Sequence, residues 1–335
     1  MKFARIQVSS PDGPTARLVV AQPEKNRVID LITAKRIWLE RNGATRAAAL
    51  RVASAMFPSS LTAAIGLGDV LLGAANLALE SAADDAAIDL STVHFLPAAD
   101  PPTLRDSTAY EMHIHNMSKR FGHSFKDSFL SLPPYYKGNP TTLIAHEQEM
   151  IWPHYAKVMD FELELGLIVG KAGRNIRVED APNYLFGVTI FNDFSARDMQ
   201  KREMEAPLGP AKGKDFATAV GPWVVTRDEL DVNNLTMVAR INGEEWSRGN
   251  SSTATWTPAD LIAYASQSET LTPGELIGAG TVGFGCGSEL GKFPKPGDVV
   301  ELEVSGIGIL RNRLSQPETG GWLPEKKVSK VSDEV

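Results

Sequence analysis

The sequence predicts a mainly β protein with helices: a sheet-rich domain folded on itself, preceded by a smaller α/β domain. Three observations support this. Past a helical stretch around Asp106 to Arg120, the chain repeats short apolar runs punctuated by Gly and Pro, among them "YLFGVTIFNDFS", "AVGPWVVT", "LTMVARINGEEW" and "DVVELEVSGIGILRNRL". The first hundred residues differ in texture, with one hairpin pattern followed by Ala-rich helical segments. Between the two parts, "ADPPT" (Ala99 to Thr103) holds two prolines that stop a helix arriving from either side, giving domains of 1–100 and 101–335.

The elements follow in order. "KFARIQV" and "ARLVVAQ" flank "SSPDGPT", a hairpin with a Pro-Asp-Gly turn; "NRVIDL" adds a strand, and helices fill Ile32 to Ala87. "LRDSTAYEMHIHNMSKRFG" places Asp106, Tyr110, His113 and Met117 on one helical face. At about 100° per residue His115 points away from His113, so the pair does not converge on one ion. "INGEEWSRGN" is a hairpin with Asn242-Gly243 at its tip. "TPADLIAYASQSETLTPGEL" reads as one helix from Thr257-Pro258 to near Thr272-Pro273, and "PEKKVSKVSDEV" as a solvated tail.

Composition narrows the function classes. Of 335 residues 43% are apolar and 22% charged, as in ordinary folded proteins. A net charge of −7 repels nucleic acid and anionic membrane in bulk. The most apolar segment, Leu61 to Glu80, is interrupted by Asp69 and Asn76 and reads as packed helices rather than a membrane span. Cys286 is the single cysteine, which excludes an intramolecular disulfide and a structural thiolate cluster, and fits a reducing, cytoplasmic setting. Cys286 itself lacks a local His partner and reads as a small packed residue.

In "FELELGLIVG" the odd positions Phe161 to Val169 face one way, while Glu162 and Glu164 face the other, followed by Gly166, which is expected to leave room. Two carboxylates so placed repel unless a cation sits between them; the alternative is an exposed face. "LFGVTIFND" ends in a third carboxylate, Asp193, a candidate ligand or else the N-cap of "FSARDMQKRE". An all-oxygen set suits magnesium or manganese, with calcium as a third choice. His113 is the candidate base; the alternative is a hydrogen-bonded structural histidine.

These segments, with "LRDSTAYEMH", "PPYYKGNP", "LGPAKGKDFATAVGPWVV" and "TVGFGCGSEL", resemble the fumarylacetoacetate hydrolase superfamily, and within it bacterial members with an extra N-terminal domain. The resemblance covers roughly residues 100 to 314. It implies a mixed β-sandwich roll that dimerises and holds a divalent cation on Glu162, Glu164 and Asp193, with Asp106 added in members with a long N-terminal part. It implies a His113–Glu289 pair, Lys214 as a catalytic donor, and Arg197, Gln200, Tyr136 and Thr218 as residues that contact substrate or order the metal site. The chain departs from the family pattern at Ser107 and Thr108, where an aromatic pair is common, so the pocket rim is expected to be larger or more polar.

The implied activity is hydrolysis of a carbon–carbon bond in a 1,3-dicarbonyl, such as fumarylacetoacetate or an acylpyruvate. His113, oriented by Glu289, would take a proton from water, Lys214 and Gln200 would face the developing oxyanion, and the ion would stabilise the enolate leaving group. Decarboxylation, hydration or tautomerisation of a 2-oxo acid needs the same parts. A structural ion in a non-catalytic protein is the third reading.

Overall fold

The computed structural model describes residues 1–122, 124–206 and 208–329. Its centre is a mixed twelve-stranded sheet. From one edge its main path runs Ala87–Asp89, Arg27–Asp30, Thr15–Gln22, Lys2–Val8, Thr218–Thr226, Leu185–Asp193, Leu163–Val169, Leu276–Gly278, Leu104–Ser107 and Tyr135–Gly138. A second, four-stranded antiparallel sheet orders Glu244–Asn250, Thr236–Ile241, Val299–Val304 and Gly308–Arg313. As the Asn-Gly pair predicts, its first hairpin turns at Asn242 and Gly243, both with positive φ.

Two cores explain why "FELELGLIVG" is apolar on both sides toward its end. Leu163, Leu165, Leu167 and Val169 face a core shared with Met237, Ala239, Leu302 and Leu310 of the second sheet. Ile168 faces the other way, into a core with Phe57, Leu61, Ile65 and Leu71 from the N-terminal helices. Glu162 and Glu164 occupy that same even-numbered face at its near end.

The first hundred residues, expected to form a domain of their own, share this sheet and this core with the rest. Lys2 and Phe3 pair antiparallel with Val225 and Val224, and the N-terminal helices cover Phe191, Val220 and Leu276. Alanine periodicity announces those helices, but not which surface they bury.

Three local expectations are corrected. The helix read from Asp106 starts only at Glu111 and runs to Phe121, with Gly122 in the left-handed conformation closing it. Leu104–Ser107 is a strand instead, because hydrogen bonding to strands on both sides outweighs local helical spacing. The helix at Pro258 ends at Ala265 rather than near Thr272; a Thr257–Asp260 capping box starts it, and Thr270–Leu271 pairs away with Gly173–Arg174. Gly166 opens no space: a Cβ there would press on Leu276 Cδ1 and Thr189 Cγ2, both at 3.0 Å. In the tail, residues 321–329 are exposed, and the remainder lies outside the described residues.

Candidate active site

Asp106 lies at the middle of three strands. It sits opposite Gly278 in a parallel pairing and opposite Tyr136 in an antiparallel one. Gly278 in turn faces Gly166 on the Glu164 strand. Strands stand about 4.8 Å apart, so Asp106 and Glu164 are separated by the whole Gly278 strand. A Cβ on Gly278 would collide with the Asp106 carboxylate, so glycine at this position lets the side chains meet across it. Ligand oxygens of Asp106, Glu162 and Glu164 all lie within 4.8 Å of one another, and all three residues are buried.

Three of the carboxylates, Glu162, Glu164 and Asp193, are held by donors from outside the acidic cluster. Glu164 accepts from the Gly280 backbone N–H and the Thr281 hydroxyl, both at 2.9 Å. Glu162 accepts from Arg197 Nη2 at 2.8 Å, and the Lys214 ammonium bridges Glu162 to Asp193. Tyr136 donates its hydroxyl to Asp193 Oδ2 at 2.7 Å. The Asp193 carboxylate is therefore tied to Glu162 through Lys214 and does not cap a helix; the helix Arg197–Met204 has Ala196 at its N-cap.

The local charge is unbalanced. Asp106, Asp160, Glu162, Glu164 and Asp193 are five buried carboxyl groups, against two buried cations, Arg197 and Lys214. Burial opposes charge on Glu162, yet Lys214 and Arg197 hold its carboxyl well below the usual range. Burial and the neighbouring Glu162 push Glu164 up to about 8. Burial, with Glu164 and Asp193 close by, likewise pushes Asp106 well above its ordinary value. Asp106 Oδ1 and Asp193 Oδ1 are buried with no hydrogen-bond partner among the described residues. Orphaned carboxylate oxygens beside an all-oxygen donor set fit a hard divalent cation, which would replace protons on Asp106 and Glu164. Asp106, Glu162, Glu164 and Asp193 are the residues that would hold it.

The candidate base, His113, comes from a different part of the chain. His113 Nδ1 lies 2.9 Å from Glu289 Oε2, joining the helix Glu111–Phe121 to the short helix Gly287–Leu290. The Glu289 side chain is fully buried. Its Oε1 accepts from Asn116 Nδ2 at 2.9 Å and the Phe284 N–H at 2.8 Å, and its Oε2 lies 3.4 Å from Cys286 Sγ. His115 points elsewhere and stacks on Phe125 with ring centroids 4.1 Å apart, as the helical spacing predicts.

The remaining candidates collect around the same point. Arg197 spends its guanidinium inside the protein, on Asp160, Glu162 and Gln200, so it orders carboxylates in this state and does not present itself to a ligand. Gln200 accepts at 3.0 Å through its oxygen, which leaves its amide nitrogen as a donor. Thr218 is buried directly opposite Asp193 in the sheet. Ser107 is buried just past Asp106, and the Thr108 N–H donates to Pro134 at 2.9 Å.

One residue escaped the sequence reading. Asp160 is completely buried and accepts from five donors: the backbone N–H groups of Phe161, Gly287 and Ser288, the Ser288 hydroxyl and Arg197 Nε. It ties the segment that carries Glu162, Arg197 and the Glu289 helix together. The signal was present, because "DFELE" extends the alternation back to Asp160, on the same side as Glu162 and Glu164.

The chain is similar to known proteins. Residues 103–315, well over half of the chain, match the family model described as the C-terminal part of fumarylacetoacetate (FAA) hydrolase. A human mitochondrial protein named oxaloacetate tautomerase is 34% identical over 176 residues, which span 52% of this chain and 56% of that one, little more than half its length. The fumarylacetoacetate hydrolase of Exiguobacterium antarcticum superposes with a TM-score of 0.69 at 25% identity, over 94% of this chain and 99% of that one. Maleylpyruvate hydrolase of Sphingobium sp. SYK-6, solved with manganese (II) and pyruvate, has the same fold at a TM-score of 0.67 and 22% identity, covering 95% of this chain and 100% of that one. The matched segment contains the acidic cluster, Lys214 and the His113–Glu289 pair, and on these grounds the chain belongs to the fumarylacetoacetate hydrolase family.

Proposed function

We propose that the protein is a divalent-metal-dependent hydrolase that cleaves a carbon–carbon bond in a 1,3-dicarbonyl of the acylpyruvate or fumarylacetoacetate class. The observation that carries this reading is the His113–Glu289 pair, a base held at 2.9 Å by a buried carboxylate whose other oxygen is fixed by two donors. Water activation needs such a base; a purely structural ion site does not. With Nδ1 engaged by Glu289, Nε2 is the atom that takes the proton from water. Lys214 carries a third N–H beyond those given to Glu162 and Asp193, and with the Gln200 amide it supplies donors for developing oxyanion charge. A bound magnesium or manganese ion would supply Lewis acidity toward the substrate's oxygens.

A second reading has specific support. The human relative is named for tautomerisation of oxaloacetate, and the same base can move a proton between carbon and oxygen of a 2-oxo acid. Mass analysis of products separates the readings: hydrolysis adds one water and splits the substrate, tautomerisation leaves the mass unchanged, and decarboxylation releases carbon dioxide. Turnover should vanish on chelation and return with magnesium or manganese. Acylpyruvates left intact by the metal-loaded protein would overturn the hydrolase reading.

A further inference from the structure

We propose that His113, Cys286 and Glu289 form a second metal site, one that takes zinc or another borderline-soft divalent ion, and that its occupation switches off the base. Their ligand atoms lie within 4.8 Å of one another, in a group that shares no residue with the all-oxygen cluster. The separations, 2.9 Å from His113 Nδ1 to Glu289 Oε2 and 3.4 Å from Cys286 Sγ to the same oxygen, are close to those spanned by one ion with bonds of about 2.0 to 2.3 Å. A nitrogen, sulfur and oxygen set selects zinc over magnesium. Cys286 and Glu289 are three apart at the start of one short helix, and His113 is packed onto them, so no large rearrangement is needed. In the metal-free site burial and Asp160 push the Cys286 thiol up, so it stays protonated. A divalent ion reverses that balance, because thiolate and carboxylate together carry two negative charges that it cancels in a buried place. The thiol proton is released. Coordination at Nδ1 confines the neutral imidazole's proton to Nε2, and the atom that would accept a proton from water already holds one.

The binding half needs no turnover; only the inhibitory half rests on the hydrolase or tautomerase reading. Magnesium-saturated full-length protein is titrated with cobalt (II) as the probe. The expected result is a near-ultraviolet thiolate-to-cobalt charge-transfer band, bleached by zinc and absent from Cys286→Ser. Since Cys286 is the single cysteine, absence of the band in the wild type at saturating cobalt overturns the site. Should Cys286→Ser fail to fold, His113→Gln and Glu289→Gln serve instead: each should keep the band but weaken cobalt binding at least about tenfold. Unchanged affinity in both would show a lone thiolate and overturn the three-ligand site. In turnover assays, the zinc concentration for half-inhibition should rise at least about tenfold in Cys286→Ala, measured against that variant's own rate. Wild-type turnover that ignores zinc while the band is present overturns the inhibitory half alone.

Discussion

Gly278 stands directly opposite Asp106 in the parallel pairing, and a Cβ there would overlap the Asp106 carboxylate. The acidic cluster depends on an atom that is missing. Gly278→Ala should displace Asp106 and weaken manganese binding by about 10- to 100-fold, the range seen when groups that orient metal ligands are disturbed. Calorimetric titration with manganese checks this; unchanged affinity would show that Asp106 does not ligate.

The carboxyl groups make metal-free stability depend on pH. Glu164 binds its proton up to about pH 8 when folded but only to about 4.5 when unfolded, so the folded state holds more protons in this window. Its contribution is fully present below the unfolded value and fades as pH rises toward 8. Asp106 acts in the same direction. Chelated protein should therefore lose melting temperature from pH 5 to pH 8, and the rise produced by magnesium should be larger at pH 8. Melting curves with chelator and with magnesium at both pH values measure this, and a magnesium effect that shrinks with pH would contradict it.

Removing the base should separate chemistry from metal binding. His113→Ala is expected to lower turnover by about 10²- to 10⁴-fold while leaving manganese affinity largely intact. Glu289→Gln should also reduce turnover, because Gln keeps the shape but loses the charge that orients the imidazole. Turnover and manganese titration on the same preparations give the comparison. Full activity in His113→Ala would move the base to another residue.

Asp160→Asn tests the residue that joins the two halves of the site. An amide nitrogen would face donors that now converge on two carboxylate oxygens, and Arg197 would lose one of its carboxylate partners. The expected cost is on the order of 3 kcal/mol, typical of breaking a buried charge pair. Denaturant unfolding reads this directly, and a change below about 0.5 kcal/mol, the scale of ordinary surface substitutions, would show the cluster to be slack.

Much of the site was legible in the chain because strand alternation is a strict period of two. "FELELGLIVG" places Glu162 and Glu164 on one face without any knowledge of partners, and "LFGVTIFND" delivers Asp193 at a strand end. The hairpin at Asn242-Gly243 and the divergence of His113 from His115 follow equally from local geometry. Asp106 is hidden for the opposite reason: "LRDSTAYEMH" satisfies helical spacing, and only the pairing with Gly278 and Tyr136 makes it a strand. Asp160 hid because its five donors come from Phe161, Arg197, Gly287 and Ser288, most of them distant in sequence.

The sequence by itself determined which residues share a face, where chains turn, and that a hard cation suits the acids, since each is a matter of short-range periodicity or donor chemistry. Only the tertiary structure decided that the N-terminal helices cover Ile168 and Phe191, that a glycine opens the gap for Asp106, and that Cys286 joins the His113–Glu289 pair. Those are contacts between segments up to some 170 residues apart, and they are fixed by which strands hydrogen-bond and which surfaces close over them.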